Sequence, residues 1–262
     1  MRIARFAHPQ GMSFGLVEGE PDAPAASQTV AQIEGHPFGQ IVLTGERWAL
    51  SDVRLLSPIL PSKVVGVGRN YAAHAAELGN EVPTEPLLFL KPSTSVSGPG
   101  DPIRLPLQSQ QVEHEAELAV VINARGAREV SRERAMDSVF GYTIANDVTA
   151  RDLQRSDPQW TRAKGFDGFC PLGPWIDTDL DPSDLRVLCD VDGELRQDGR
   201  TSQFVFDVAT LVSYISHVMT LLPGDVILTG TPAGVGPLKP GQNVTVAVER
   251  LGMLTNPVVA HD

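Results

Sequence analysis

The chain has 262 residues, 42% of them hydrophobic, which is enough for a large buried core and unlike the composition of a disordered segment. Its 32 acidic residues against 21 basic ones give a formal charge of −11, which argues against non-specific binding to nucleic acid or to an anionic membrane, though a bound metal could still draw in an anionic substrate. Two cysteines, Cys170 and Cys189, are too few for a disulfide framework and fit a reducing cytosol. Residues 1–9 lack the apolar core of a signal peptide. The apolar stretch 208–222 is broken by Ser213, Ser216, His217 and Thr220, so the expectation is a cytoplasmic protein with no membrane span.

In chain order, residues 1–58 read as a small N-terminal subdomain of short strands, at 2–6, 14–18 and around 41–43 and Trp48, with a Pro/Ala-rich loop over 20–27. Residues 59–262 form the second domain. There Lys63–Gly68 is a short buried strand ending in glycine, and 69–78 is an Ala-rich helix stopped by Gly79 and Asn80. A strand over 87–91 precedes a Ser/Gly/Pro loop. The apolar, β-branched run Ala116–Ile122 reads as a buried strand. A helix over 131–139 is expected with Ser131 as its N-cap. The clearest helix spans 208–222, where Val208, Leu211, Val212, Ile215, Val218, Met219 and Leu222 follow the spacing of a buried stripe. Strands over 226–229 and 243–249 follow. The balance is β-rich, an α+β arrangement without βαβ repeats.

Several constellations carry chemistry. Glu115 and Glu117, two apart at the edge of a strand, share a face, with no lysine close in sequence to neutralise them. Two such charges in a low dielectric are costly unless one is protonated or a cation sits between them. With Asp147 they make an oxygen-only set suited to Mg²⁺, Mn²⁺ or Ca²⁺; taken alone, a Glu-x-Glu pair is more often a solvated strand edge. His74 and Glu77 are three apart on the proposed helix and so share a face, which suits a general base, or else an exposed helical pair. Lys164 lies in a Gly/Pro-punctuated loop, where a lone lysine is usually a solvated cation. Cys170, with no histidine near in sequence, reads as a buried thiol and not a nucleophile. The glycine-rich stretch 230–237 lacks both nucleotide-loop patterns, which leaves a loop lining a small-molecule site, with the Thr231 hydroxyl available.

Six segments in order, residues 68–77, 89–92, 114–118, 146–154, 163–167 and 222–232, resemble the fumarylacetoacetate hydrolase family. The first 58 residues are similar to the N-terminal extension of its bacterial dicarboxylate-acting branch, which includes oxaloacetate decarboxylases and 2-hydroxyhepta-2,4-diene-1,7-dioate isomerases. The resemblance implies a β-roll catalytic domain, a homodimer and an Mg²⁺ or Mn²⁺ site. By position it implies Glu115, Glu117 and Asp147 as metal ligands, His74 and Glu77 as a catalytic dyad on a lid, and Lys164 as the cation near the reacting carbonyl. Gln154, Thr231, Arg69 and Lys91 fall at substrate-contacting positions. The implied activity cleaves or remodels the C3 bond of a small 2-oxo dicarboxylate or acylpyruvate through a metal-stabilised pyruvate enolate. Oxaloacetate decarboxylation or acylpyruvate hydrolysis leads; dienoate isomerisation, or a non-catalytic metal-binding dimer, are the alternatives.

Overall fold

A computed structural model describes residues 1–20 and 23–261. Its centre is the strand Ala116–Ile122, all seven residues of which are buried. Its apolar run Leu118–Ile122 is covered on both faces. Leu118, Val120 and Ile122 enter the main core, which also takes in Val187, Val191, Val244 and Val248 of a second sheet, whereas Ala119 and Val121 join Val64, Cys170, Leu172 and Leu228 in a smaller core. The alternation is the two-residue period of a strand.

Ala116–Ile122 pairs antiparallel with Val139–Asn146 on one side and with Val226–Leu228 on the other. Beyond Val226–Leu228 the sheet continues through Lys63–Gly68, which runs parallel to it, to Leu87–Pro92. Beyond Val139–Asn146 it continues through Cys170–Asp177 to Arg2–His8, then to Gly11–Glu18, Thr29–Ile33 and Leu43–Ala49. The N-terminal strands therefore extend the same sheet, joined through Arg2 opposite Asp177 and Ile3 opposite Ile176. A second sheet orders Glu194–Arg200, Arg186–Val191, Asn243–Val248, Gly252–Val259 and Ile103–Arg104. The architecture is the β-rich α+β class expected.

Three local expectations change. The loop expected over 20–27 includes Pro21 and Asp22, outside the described residues, and then holds a single 3-10 turn at Ala25–Ser27. The helix expected over 131–139 is a 3-10 segment, Arg132–Ser138, with no capping bond from the Ser131 side chain. Its two buried residues, Ala135 and Ser138, are three apart, which matches the 3-10 repeat. The late helix spans only Val208–Val218 and is capped by Asp207, which accepts the Thr210 N–H at 2.8 Å. Leu221 then turns away to exchange backbone bonds with Ala127, which leaves Val218 and Leu222 exposed instead of in the stripe. Among the described residues no helix is long and apolar enough to cross a membrane.

Candidate active site

Glu115 directly precedes the central strand and Asp147 directly follows its partner, so pairing Ala116 with Asn146 brings the two acids together. The Asp147 N–H donates to the Glu115 carbonyl at 2.9 Å, and the Glu115 N–H donates to Asn146 Oδ1 at 3.0 Å. Glu117, one pleat further on, completes a group whose ligand oxygens all lie within 4.8 Å of one another. All three are buried, which excludes the solvated strand edge.

Sequence proximity is a poor guide to their counter-charges. Lys164 donates from Nζ to Glu115 Oε2 at 2.7 Å and to Asp147 Oδ2 at 2.6 Å. It is itself buried, not the solvated cation that a lone loop lysine suggests. Lys91 donates to Asp147 Oδ1 at 2.5 Å and to the Val148 carbonyl at 3.3 Å. Arg151 forks between Glu113 Oε2 at 2.7 Å and Glu115 Oε1 at 2.6 Å. Burial opposes ionisation of Glu115, but Lys164 and Arg151 overcome it and hold its carboxyl well below the usual range. Burial likewise works against the Lys164 charge, and Asp147 and Glu115 more than restore it. Glu117 differs. No cationic side chain pairs with it among the described residues; its Oε2 accepts the Gly230 N–H at 2.6 Å. Burial, then Asp147 and Glu115, push its carboxyl well above the usual range. The Tyr71 phenol is also raised, by burial and by the Glu117 charge.

This arrangement fits a hard divalent cation. The donors are all carboxylate oxygens, and among the described residues one of them lacks a counter-charge and the buried Asn146 Nδ2 beside them has no hydrogen-bond partner. Glu115, Glu117 and Asp147 are the residues that would hold it.

The dyad forms as the helical spacing requires. On the helix Ala72–Glu77, His74 Nδ1 lies 3.1 Å from Glu77 Oε2, and Glu77 Oε1 accepts the Gly234 N–H at 2.9 Å. His74 is buried and Glu77 half-buried, so the pair is not a surface one. An Nδ1 proton directed at Glu77 leaves Nε2, which has no partner among the described residues, as the basic nitrogen. Both side chains line a cavity of about 550 Å³, together with Arg69, Gln154, Trp160 and Lys164. Gln154 Oε1 accepts from Arg151 Nη1 at 2.6 Å. Arg69 holds a left-handed backbone, φ 59°, and its guanidinium has no partner among the described residues.

Two expected substrate contacts sit elsewhere. Lys91 is fully buried against Asp147 and does not reach the cavity wall. The Thr231 hydroxyl is buried and already engaged, donating to the Ala116 carbonyl at 2.9 Å and accepting from Gln197 Nε2 at 2.8 Å. Sequence reasoning missed Glu113, Arg151 and Gln197. Arg151 had a signal, four residues beyond Asp147 in the same segment; Gln197 had none. Cys170 is a buried thiol as read, with burial pushing it up to about 12.

Residues 63–259 match the fumarylacetoacetate (FAA) hydrolase C-terminal family, and residues 1–58 match the Rv2993c-like N-terminal family. A solved structure described as 5-carboxymethyl-2-hydroxymuconate delta-isomerase from Mycobacterium smegmatis is 53% identical, with a TM-score of 0.92 and full coverage of both chains. A mitochondrial oxaloacetate decarboxylase of Dictyostelium discoideum is 50% identical over 198 residues, 72% of this chain and 89% of that protein. The structure of a fumarylpyruvate hydrolase from Pseudomonas aeruginosa in complex with Mn²⁺ and pyruvate is 35% identical, with a TM-score of 0.72, covering 76% of this chain and 90% of that one. The strand-zipped acids, the dyad and the matches across nearly the whole chain agree with the six motifs: the chain belongs to the fumarylacetoacetate hydrolase family of enzymes.

Proposed function

We propose that this enzyme uses Mg²⁺ or Mn²⁺ to act on small 2-oxo dicarboxylates, with decarboxylation of oxaloacetate to pyruvate as its leading activity. The observation that carries the reading is the buried carboxylate triad with an uncompensated Glu117, linked through Lys164 to a cavity that also holds His74 and Glu77. The D. discoideum relative and the Mn²⁺–pyruvate complex of the P. aeruginosa relative support the substrate class. Glu115, Glu117 and Asp147 would hold the cation, which would supply Lewis acidity to a bound 2-oxo acid.

The chain's own groups do the rest. Lys164 fixes Glu115 and Asp147 and presents its ammonium to the cavity. Arg69, on the cavity wall and without a partner among the described residues, offers its guanidinium to a substrate carboxylate, and Gln154, held by Arg151, offers its amide N–H groups. When CO₂ leaves, the C3–C4 bond breaks and its electron pair stays on the three-carbon product. His74 delivers a proton to C3, and Glu77 stabilises the charged ring that donates it. In acylpyruvate hydrolysis the same pair would instead take a proton from water. Isomerisation of a dienedioate is the second reading, favoured by the full-length match to the M. smegmatis structure.

The test is pyruvate release from oxaloacetate with Mg²⁺ or Mn²⁺, again after EDTA, each corrected for metal alone. Metal-dependent release that His74→Ala abolishes supports decarboxylation. No release, with turnover of 5-carboxymethyl-2-hydroxymuconate, would replace it by the isomerase reading.

A further inference from the structure

Gln197 belongs to the second sheet, on the strand Glu194–Arg200, and contributes nothing to the cavity wall. Its amide is fully buried, and every hydrogen-bonding position on it is used. Oε1 accepts the Ala116 N–H at 3.0 Å and lies 2.9 Å from His114 Nδ1. Nε2 donates to Thr231 Oγ1 at 2.8 Å and to the Pro232 carbonyl at 2.7 Å. A backbone N–H can only donate and a backbone carbonyl can only accept, so the amide cannot flip. That orientation places the His114 proton on Nδ1. It also makes Thr231 Oγ1 an acceptor from Gln197, so its own hydrogen goes to the Ala116 carbonyl.

The two arms of this amide hold two different parts of the site. One arm grips Ala116, between Glu115 and Glu117. The other grips the turn at Thr231 and Pro232, whose neighbours supply the Gly230 N–H to Glu117 and the Gly234 N–H to Glu77. The turn has no slack against the strand that carries Gln197. A Cβ on Gly234, φ 101°, would lie 2.0 Å from the Arg196 carbonyl, and one on Gly199 would lie 2.5 Å from Pro232 Cβ. Of the described residues outside the carboxylate strand and the turn, Gln197 is the side chain that bonds to both, beside the direct bond from the Thr231 hydroxyl to the Ala116 carbonyl.

We propose that Gln197 is a positioning residue that sets the spacing between the carboxylates Glu115 and Glu117 and the turn that orients Glu77, and through it His74. This rests on the reading of those carboxylates and that dyad given above. Apolar replacement would leave the Ala116 N–H, His114, Thr231 and the Pro232 carbonyl without their partner, and the turn would loosen locally.

The test compares wild type with Gln197→Met by amide hydrogen exchange, by Mn²⁺ titration and by turnover. Exchange is expected to quicken at Gly230 and Gly234 but not along Val139–Asn146. The Mn²⁺ dissociation constant should rise, and kcat should fall, by about 10- to 100-fold. Uniform loss of protection across the chain, or a lower melting temperature with unchanged Mn²⁺ affinity and kcat, would overturn the proposal. Should Gln197→Met not fold, Gln197→Glu keeps the acceptor for the Ala116 N–H and loses the two bonds that Nε2 donates to Thr231 and Pro232, and quicker exchange at Gly230 is again the expected result. Exchange reads the clamp without cation or substrate. Wild type that binds no Mn²⁺ would therefore overturn the metal reading, while exchange still decided whether the clamp exists.

Discussion

Replacing Glu117 by glutamine keeps the shape of the side chain and its acceptor for the Gly230 N–H, and removes the one acid of the triad that no cation neutralises. The triad oxygens lie within 4.8 Å of one another, and two unit charges at that distance repel by about 3.5 kcal/mol at an effective dielectric of about 20. Without metal, a proton on Glu117 relieves that repulsion. Its folded pKa is raised above the ordinary value of 4.5, so its contribution is fully present below that value and is lost as pH rises through the folded pKa. In EDTA, wild type should therefore lose stability as pH rises above 4.5 and through the raised folded pKa, and Glu117→Gln should not show that loss. With Mn²⁺ at a hundred times its dissociation constant, wild type should gain about 2.7 kcal/mol, or roughly 5–10 °C in melting temperature for a chain of this size. The variant should gain little. Thermal unfolding followed by circular dichroism, in EDTA and then with Mn²⁺, reads both effects. An unchanged Mn²⁺ shift in the variant would refute the ligand assignment. A variant much less stable than wild type at every pH in EDTA would show that Glu117 is an ionised structural partner instead.

Three further outcomes are expected. His74→Ala should lower kcat for the physiological reaction by about 10²- to 10⁴-fold, measured at saturating metal and substrate. Asp225 is fully buried and accepts from the Ser62, Lys63 and Leu222 N–H groups, the Ser62 hydroxyl and the Lys63 ammonium. Asp225→Ala should cost about 3–5 kcal/mol in denaturant unfolding, because a cation is left facing an empty position, with kcat of the folded fraction unchanged. Both thiols are buried, and burial pushes Cys170 up to about 12, so a thiol reagent at pH 8 should label neither until the chain is unfolded.

The parts of the site legible in the sequence are those in which one element supplies a local pattern. The central strand Ala116–Ile122 matches its expected bounds, because the apolar run Leu118–Ile122 has few other solutions. His74 and Glu77 meet because three residues on a helix return to the same face. Proximity in the chain fails where pairing is long-range. The counter-charges of Glu115 come from Arg151, 36 residues away, and Lys164, 49 residues away, and no periodicity encodes such distances. Thr231 shows the same limit from the other direction. Its hydroxyl looks free in a glycine-rich loop, and a glutamine from another sheet occupies it. The late helix stops at Val218 although Leu222 continues its apolar repeat, because Leu221 pairs with Ala127.

The charges gathered here also bear on what the site can accept. Four buried carboxylates, Glu113, Glu115, Glu117 and Asp147, face three buried cations, Lys91, Lys164 and Arg151. The deficit is one positive charge, and a proton on Glu117 makes it up when no metal is bound, consistent with the direction of its shift. A divalent cation with Glu117 ionised would add two charges to a deficit of one, so a loaded site would carry one net positive charge. On the cavity wall Arg69 and Arg155 add two positive charges and Glu77 subtracts one, so the sum stays positive. Such a site, in a chain of net charge −11, concentrates positive potential where an otherwise acidic protein has none to spare. A neutral ketone would gain little from that potential, whereas a dianionic 2-oxo acid would gain at both ends. Metal loading and the affinity for dicarboxylates should therefore rise and fall together across substitutions of the triad.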